Sequence, residues 1–155
     1  MPMFIYDPAT DTWAQSEALM PTGREHLAVV VAEGKLFVIG GRYNQDINVA
    51  TVEIFDPQTN TWTSGPDLLT PVSGLTAVYL EGRIHVTGGE DLFANSVSNQ
   101  HQVLDLTTMT WEEWAPLPGG RHGLTSQVVD GKWVVIGGSP IANIGMSGRV
   151  DIFIP

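Results

Sequence analysis

The chain contains no cysteine. That excludes disulfides and thiolate metal sites. It has little positive charge: 7 Lys and Arg stand against 17 Asp and Glu, for a net charge of −10. A nucleic-acid backbone or an anionic membrane surface requires clustered basic side chains, so neither is expected as a partner. The excess carboxylate reads first as a solubility device. No apolar run approaches the roughly 18 residues of a membrane-spanning helix. The start, Met1-Pro2-Met3-Phe4-Ile5-Tyr6, carries no charged leader and reads as repeat sequence rather than a signal peptide. A soluble chain of unassigned compartment is expected. His26, His85, His101 and His122 form no HxH or HExxH pattern. No P-loop, GxSxG or GxGxxG occurs either. Gly119-Gly120-Arg121-His122-Gly123 is glycine-rich but does not join a strand to a helix. No metal, cofactor or catalytic residue is therefore expected.

What is present is repetition. Gly34-Lys35-Leu36-Phe37-Val38-Ile39-Gly40-Gly41 returns as Gly82 to Gly89 and again as Gly131 to Gly138. Each copy is a turn glycine, a basic residue, strand-forming residues and a diglycine. The diglycines begin at 40, 88 and 137, steps of 48 and 49. A second marker keeps the same period. Asp7-Pro8-Ala9-Thr10-Asp11-Thr12-Trp13 returns over 56–62 and more loosely over 105–111, with Trp13, Trp62 and Trp111 spaced by 49. Two markers in phase define a repeat of about 50 residues.

These features resemble the kelch family: a diglycine after an apolar strand, the aromatic-Asp pairs Tyr6-Asp7 and Phe55-Asp56, and a tryptophan seven residues after the aromatic. The resemblance covers essentially the whole chain. It implies an all-β fold of four-stranded antiparallel β-propeller blades, three repeats in a single domain over 1–155. Naming the strands of a blade a, b, c and d, residues 1–15 supply c and d of a split blade. Whole blades follow at 24–64 and 72–114, and residues 121–155 supply a, b and c of the split blade. Strands are expected near 3–7, 26–32, 35–40, 52–55 and 61–64. In the third repeat they fall near 124–129, 132–137 and 149–154. Strands a and b are nearly continuous in apolar residues, the pattern of strands covered on both faces. Three blades fall below the roughly four to eight of closed propellers. Either a homodimer completing a six-bladed ring or a partial propeller is therefore expected.

In such a blade the b–c and d–a connections emerge at one end. The b–c loops, 42–48, 90–96 and 139–146, differ from one another while the strands between them repeat. Variable loops on a rigid scaffold are where binding residues concentrate. A protein or peptide is the expected ligand. The candidates on this face are Arg24, Arg42, Tyr43, Asn44, Asp91, Phe93, Asn95, Arg121, His122 and Asn143. Arg24 and Arg121 are equivalent, with Val72 between them in the second repeat. In kelch proteins that bind acidic peptides, arginines of such loops line the pocket, and the resemblance extends that role to these two. The structural alternative pairs them with Glu53 and Asp151, which are themselves equivalent to Gln102. His85 stands where Phe37 and Val134 stand, which marks it as a packed strand residue. Asp7, Asp56 and Asp105 begin turns, and turn capping accounts for them. Trp13, Trp62 and Trp111 read as inter-blade packing rather than a sugar platform, and Trp114 as an exposed aromatic. The resemblance also offers enzymes. Copper radical oxidases need a tyrosine joined to a cysteine, which this chain lacks, and a sugar epimerase needs an acid–base constellation that the His and carboxylate positions do not provide. A purely structural part of a larger propeller is the third alternative.

Overall fold

The computed structural model describes residues 3–44 and 46–155. Met1, Pro2 and Gln45, the last within the first b–c loop, lie outside them. Among the described residues every element is a strand and every pairing antiparallel. Among the same residues no helix is long and apolar enough to cross a membrane. The first whole blade consists of Ala28–Ala32 (a), Lys35–Ile39 (b), Val52–Asp56 (c) and Thr61–Ser64 (d), paired in the order a-b-c-d. The second repeats it with Thr76–Leu80, Arg83–Thr87, His101–Asp105 and Thr110–Trp114. The third has only a, b and c: Thr125–Val129, Lys132–Ile136 and Val150–Phe153. The N-terminal c–d hairpin, Met3–Asp7 with Thr12–Ser16, forms its own two-stranded sheet, and no strand pairing joins it to the third blade. Two b–c loops carry a short hairpin of their own, Arg42–Tyr43 with Ile47–Asn48 and Glu90–Asp91 with Ser96–Val97.

Local chemistry explains the turns. Each a–b turn has two consecutive left-handed residues, Glu33-Gly34, Glu81-Gly82 and Asp130-Gly131, with φ between 49° and 77°. That is the geometry a two-residue hairpin requires to match strand twist. Each c–d turn is capped by its aspartate. Asp7, Asp56 and Asp105 accept the amides of Ala9, Gln58 and Thr107 at 2.8–2.9 Å. Across each c–d pair an aromatic meets the tryptophan where both are present: Tyr6 with Trp13 and Phe55 with Trp62, each pair at 5.1 Å between ring centres.

The blades stack face to face through the a strands. Between the first and second blades, Val30, Phe37, Ile39 and Ile54 meet Leu75, Ile84, Val86 and Leu104. Between the second and third, Val78 and Leu80 meet Leu124, Trp133 and Val135. Full two-sided cover is therefore confined to the second blade. Val29 and Val31 on the first blade, and Ile136 and Val150 on the third, lie exposed at the two ends of the arc.

The second interface contains a buried pair of imidazoles. His85 Nδ1 lies 3.0 Å from His101 Nε2, and His101 Nδ1 lies 3.2 Å from the Ala115 carbonyl. One proton on each ring satisfies the chain: His101 Nδ1–H donates to Ala115, and His85 Nδ1–H donates to His101 Nε2. Trp114, Trp133 and Phe153 surround the pair at 5.2–6.0 Å between ring centres. Trp114 is thus a half-buried packing residue rather than the exposed aromatic anticipated, because the imidazoles draw its ring inward. Burial, followed by the neighbouring His101, lowers the His85 pKa from 6.5 to about 4, and burial lowers that of His101 as well. An unfolded chain binds these protons from near pH 6.5, whereas the folded chain resists them until lower pH. Stability is thus greatest above pH 6.5 and falls as the pH drops toward 4. The first blade carries Phe37 and Val52 at the equivalent positions. The double variant His85→Phe, His101→Val is expected to flatten the decline between pH 6.5 and 4, measured as the urea midpoint at each pH. A wild-type midpoint that stays constant over that range would refute the account.

Candidate functional site

On each of the three blades the b–c and d–a connections lie together, on one face of the arc. A short bridge ties each pair: Glu25 with Arg42, Ser73 with Glu90, and His122 with Ser139. The residue after each diglycine is thereby fixed beside the residue after each connector Arg or Val. On the first two blades the residues after the diglycine, Arg42 and Glu90, carry opposite charges and meet across the blade boundary. Arg42 Nε donates to Glu25 Oε1 at 2.9 Å, and Arg42 Nη1 donates to Glu90 Oε1 at 3.0 Å. Glu90 Oε2 accepts the backbone amide of Asn143 at 2.8 Å, with His122 Nδ1 3.5 Å away. His122 is held from its other side by the Ile141 carbonyl, 3.1 Å from Nε2. His26 Nε2 lies 3.3 Å from Arg42 Nη2. The chain Glu25–Arg42–Glu90–Asn143 thus crosses all three blades. The Arg42 hydrogen bond holds the Glu25 carboxyl below its usual range.

This network corrects the expectation for several candidates. Arg24 is buried: Nε donates to the Gly40 carbonyl at 2.7 Å, Nη2 to that of Val38 at 2.9 Å, and Nη1 pairs with Glu53. Arg121 is buried beside Asp151, Nη2 to Oδ2 at 2.9 Å. Neither guanidinium faces solvent, so neither is placed to meet an acidic peptide. A charged group buried in this way must be paired, and the c-strand acid supplies the pair. Arg42 and His122 are also buried, as members of the polar chain rather than as free contacts. Asp91 is half-buried and caps its own loop through the Ala94 amide at 2.9 Å.

The remaining candidates form an exposed rim above that chain. Phe93 is 90% exposed and Tyr43 51%. Asn44, Asn95 and Asn143 are exposed and adopt left-handed backbone, with φ of 49°, 49° and 72°. This is where Asn is tolerated and where a loop reverses sharply. Ile144 and Met146 of the third loop are exposed as well. Two residues escaped the sequence reading: Glu90, the hinge of the network, and Glu25. The available signal was positional, since Arg42 and Glu90 each follow a diglycine with opposite charge. A cleft of about 810 Å³ opens on this same face of the first blade, lined by the d–a connector from Leu19 to Glu25 and by the candidates Arg42, Tyr43 and Asn44; Arg24 borders it through its main chain, its side chain being buried.

Comparison with known proteins agrees with this architecture. A family model described as the KLHDC2/KLHL20/DRC7 Kelch-repeats domain matches residues 2–150. Beta-scruin of Limulus polyphemus is 30% identical over 146 residues, which is 88% of this chain and 16% of that protein. Kelch-like protein 35 of Mus musculus is 32% identical over 133 residues, 86% of this chain and 22% of its own length. Kelch-like ECH-associated protein 1A of Danio rerio is 34% identical over 107 residues, 68% of this chain and 18% of its own. The chain spans less than a quarter of the length of these three relatives. With the repeat period, the blade topology and the diglycine geometry already in place, these matches show that the chain belongs to the kelch-repeat family.

Proposed function

We propose that the chain is a non-catalytic binding module, that it recognises a protein or peptide through the b–c and d–a face, and that two copies share one ring around that face. The observation that carries the first part is the pairing of a fixed polar base with exposed aromatic tips. Phe93 and Tyr43 stand clear of a network that leaves their loops little freedom. Large, rigid aromatic groups presented on an ordered surface are the usual energetic centres of protein interfaces. The non-catalytic reading draws support from Glu90. Its two carboxylate oxygens are committed to Arg42 and to the Asn143 amide, an arrangement that positions loops rather than one that moves protons. A relative named as an ECH-associated protein also favours a recognition role.

Peptides selected from a random display library against the wild-type chain provide the ligand for a test. Phe93→Ala and Tyr43→Ala should each weaken their binding by about tenfold or more, the scale of an interface hot spot, with the urea midpoint unchanged. Selected peptides that bind both variants as well as wild type would place recognition elsewhere. Arg24→Ala should behave in the opposite way. It leaves Glu53 as a buried, unpaired charge, so a loss of about 3–5 kcal/mol of folding stability is expected. Chemical denaturation measures it directly, and an unchanged midpoint with lost binding would return Arg24 to the ligand-contacting set.

A further inference from the structure

The cleft beside the first b–c loop has both walls on one blade: the connector that leads into strand a and the loop that follows strand b. Leu19, Met20 and Pro21 give the connector wall apolar surface, and Tyr43 gives the loop wall a half-exposed aromatic ring. One guanidinium borders the cleft, that of Arg42, and each of its nitrogens is engaged: Nε by Glu25, Nη1 by Glu90 and Nη2 by His26. Arg24 contributes no charge here, because its guanidinium is paired with Glu53 in the interior. Three carboxylates stand against the Arg42 cation, since Asp46, which adjoins the Tyr43–Ile47 strand pair, joins Glu25 and Glu90.

Two of the three are accessible. The Glu25 side chain is 53% exposed, whereas that of Glu90 is 3% exposed. The contacts of Glu25 with Arg42 and His26 both fall on Oε1, and among the described residues Oε2 has no hydrogen-bond partner. Asp46 is exposed and belongs to no ion pair among the described residues. The second b–c loop repeats the combination. Phe93, 90% exposed, tops a turn closed by the pairing of Asp91 with Ser96. Asp91 caps the Ala94 amide and likewise has no cationic partner among the described residues. Two adjacent loops thus each present an aromatic ring with a carboxylate, and neither presents an unpaired cation.

We infer that the cleft and the two loops take a cationic peptide segment, with the charge of an arginine or lysine side chain met by Glu25 and Asp46 and its stem lying on Leu19, Met20 and Tyr43. This rests on the reading that the face binds a protein or peptide, and it adds the charge of that ligand. A long basic side chain covers apolar surface with its methylenes while its head group stays polar. The head group gains charge-assisted hydrogen bonds from a carboxylate and attraction from an aromatic face. An acidic peptide finds the reverse: carboxylates that repel it and no cation to neutralise it. Arg42 serves such a ligand only by leaving Glu90, and a carboxylate that deeply buried is costly without its partner.

The display-selected peptides used to test the face test its charge as well, provided selection is run at about 0.15 M salt, where diffuse attraction is screened. A lysine or arginine at one recurrent position is expected among the binders. Glu25→Gln keeps an oxygen for Arg42 and Asp46→Asn is a small change on an exposed turn, so both leave the urea midpoint in place. Each should weaken the selected peptides by about fivefold, the upper range of a single accessible ion pair. Asp130→Asn, on an a–b turn away from this face, removes the same unit of charge and should leave binding unchanged. Binders that depend on Tyr43 but are acidic or uncharged would overturn the charge assignment and leave the face standing. Basic binders weakened equally by Asp130→Asn, or unaffected by Glu25→Gln and Asp46→Asn, would overturn the cleft as their seat. A library that yields no binder, or binders indifferent to Tyr43→Ala and Phe93→Ala, would overturn both readings.

Discussion

Everything in this fold depends on how closely one blade can approach the next at the diglycine. The second glycine of each pair adopts φ between 84° and 114°, a region that side chains disfavour. A Cβ there would lie 2.6 Å from the Glu25 carbonyl at Gly41 and 2.2 Å from Val72 at Gly89. The first glycine meets the following blade instead: a Cβ would stand 2.8 Å from the Val72 carbonyl at Gly40 and 2.7 Å from the Arg121 carbonyl at Gly88. The diglycine is therefore a two-sided joint. One residue admits the blade's own connector and the other admits its neighbour's, and the backbone bonds across the joint fix the spacing that the apolar layers then fill. Side-chain packing between blades is a consequence of that distance.

Much of this was legible because the sequence states it three times. The diglycine, the turn aspartate and the Glu-Gly or Asp-Gly hairpin each recur at one period, and each is a local device whose geometry follows from residue type. The buried arginines show where such reading stops and how it could have gone further. Arg24, Val72 and Arg121 change in step with Glu53, Gln102 and Asp151. Where the arginine is missing, the acid is an amide, and Gln102 bonds the backbone of Thr70 on both sides. Change in step within one chain is the mark of a pair that must neutralise itself in the interior. A residue selected for an external ligand has no reason to follow a c-strand partner.

The Arg42–Glu90–Asn143 network had a fainter signal. Arg42 and Glu90 hold one repeat position with opposite charges, 48 residues apart, while Asn143 lies 53 residues beyond Glu90 in a loop that the repeat leaves free. Their contact depends on the blade-to-blade rotation, which composition and period do not encode. The exposed ends of the arc were similarly hidden. Apolar alternation tells which faces want cover, and it cannot tell that a blade's neighbour is absent. Strand a of the first blade reads as doubly covered, yet Val29 and Val31 are exposed, since among the described residues no blade packs on that side.

Position in the stack also separates the packed scaffold from its exposed loops. The second blade has both faces covered, and its Ile84, Val86, Val103 and Leu104 are as completely buried as any side chain among the described residues. In a nearest-neighbour array the outer units have one interface fewer, so the ends are the parts that open first. The polar network is anchored on this central blade through Glu90 and reaches outward to Arg42 on one side and Asn143 on the other. Its loops thus borrow rigidity from the most protected part of the molecule, while the tips that stand above them, Tyr43 and Phe93, carry no packing duty. A substitution at those tips leaves the joints between blades untouched, which is the physical basis on which the loops of one scaffold can vary while its strands repeat.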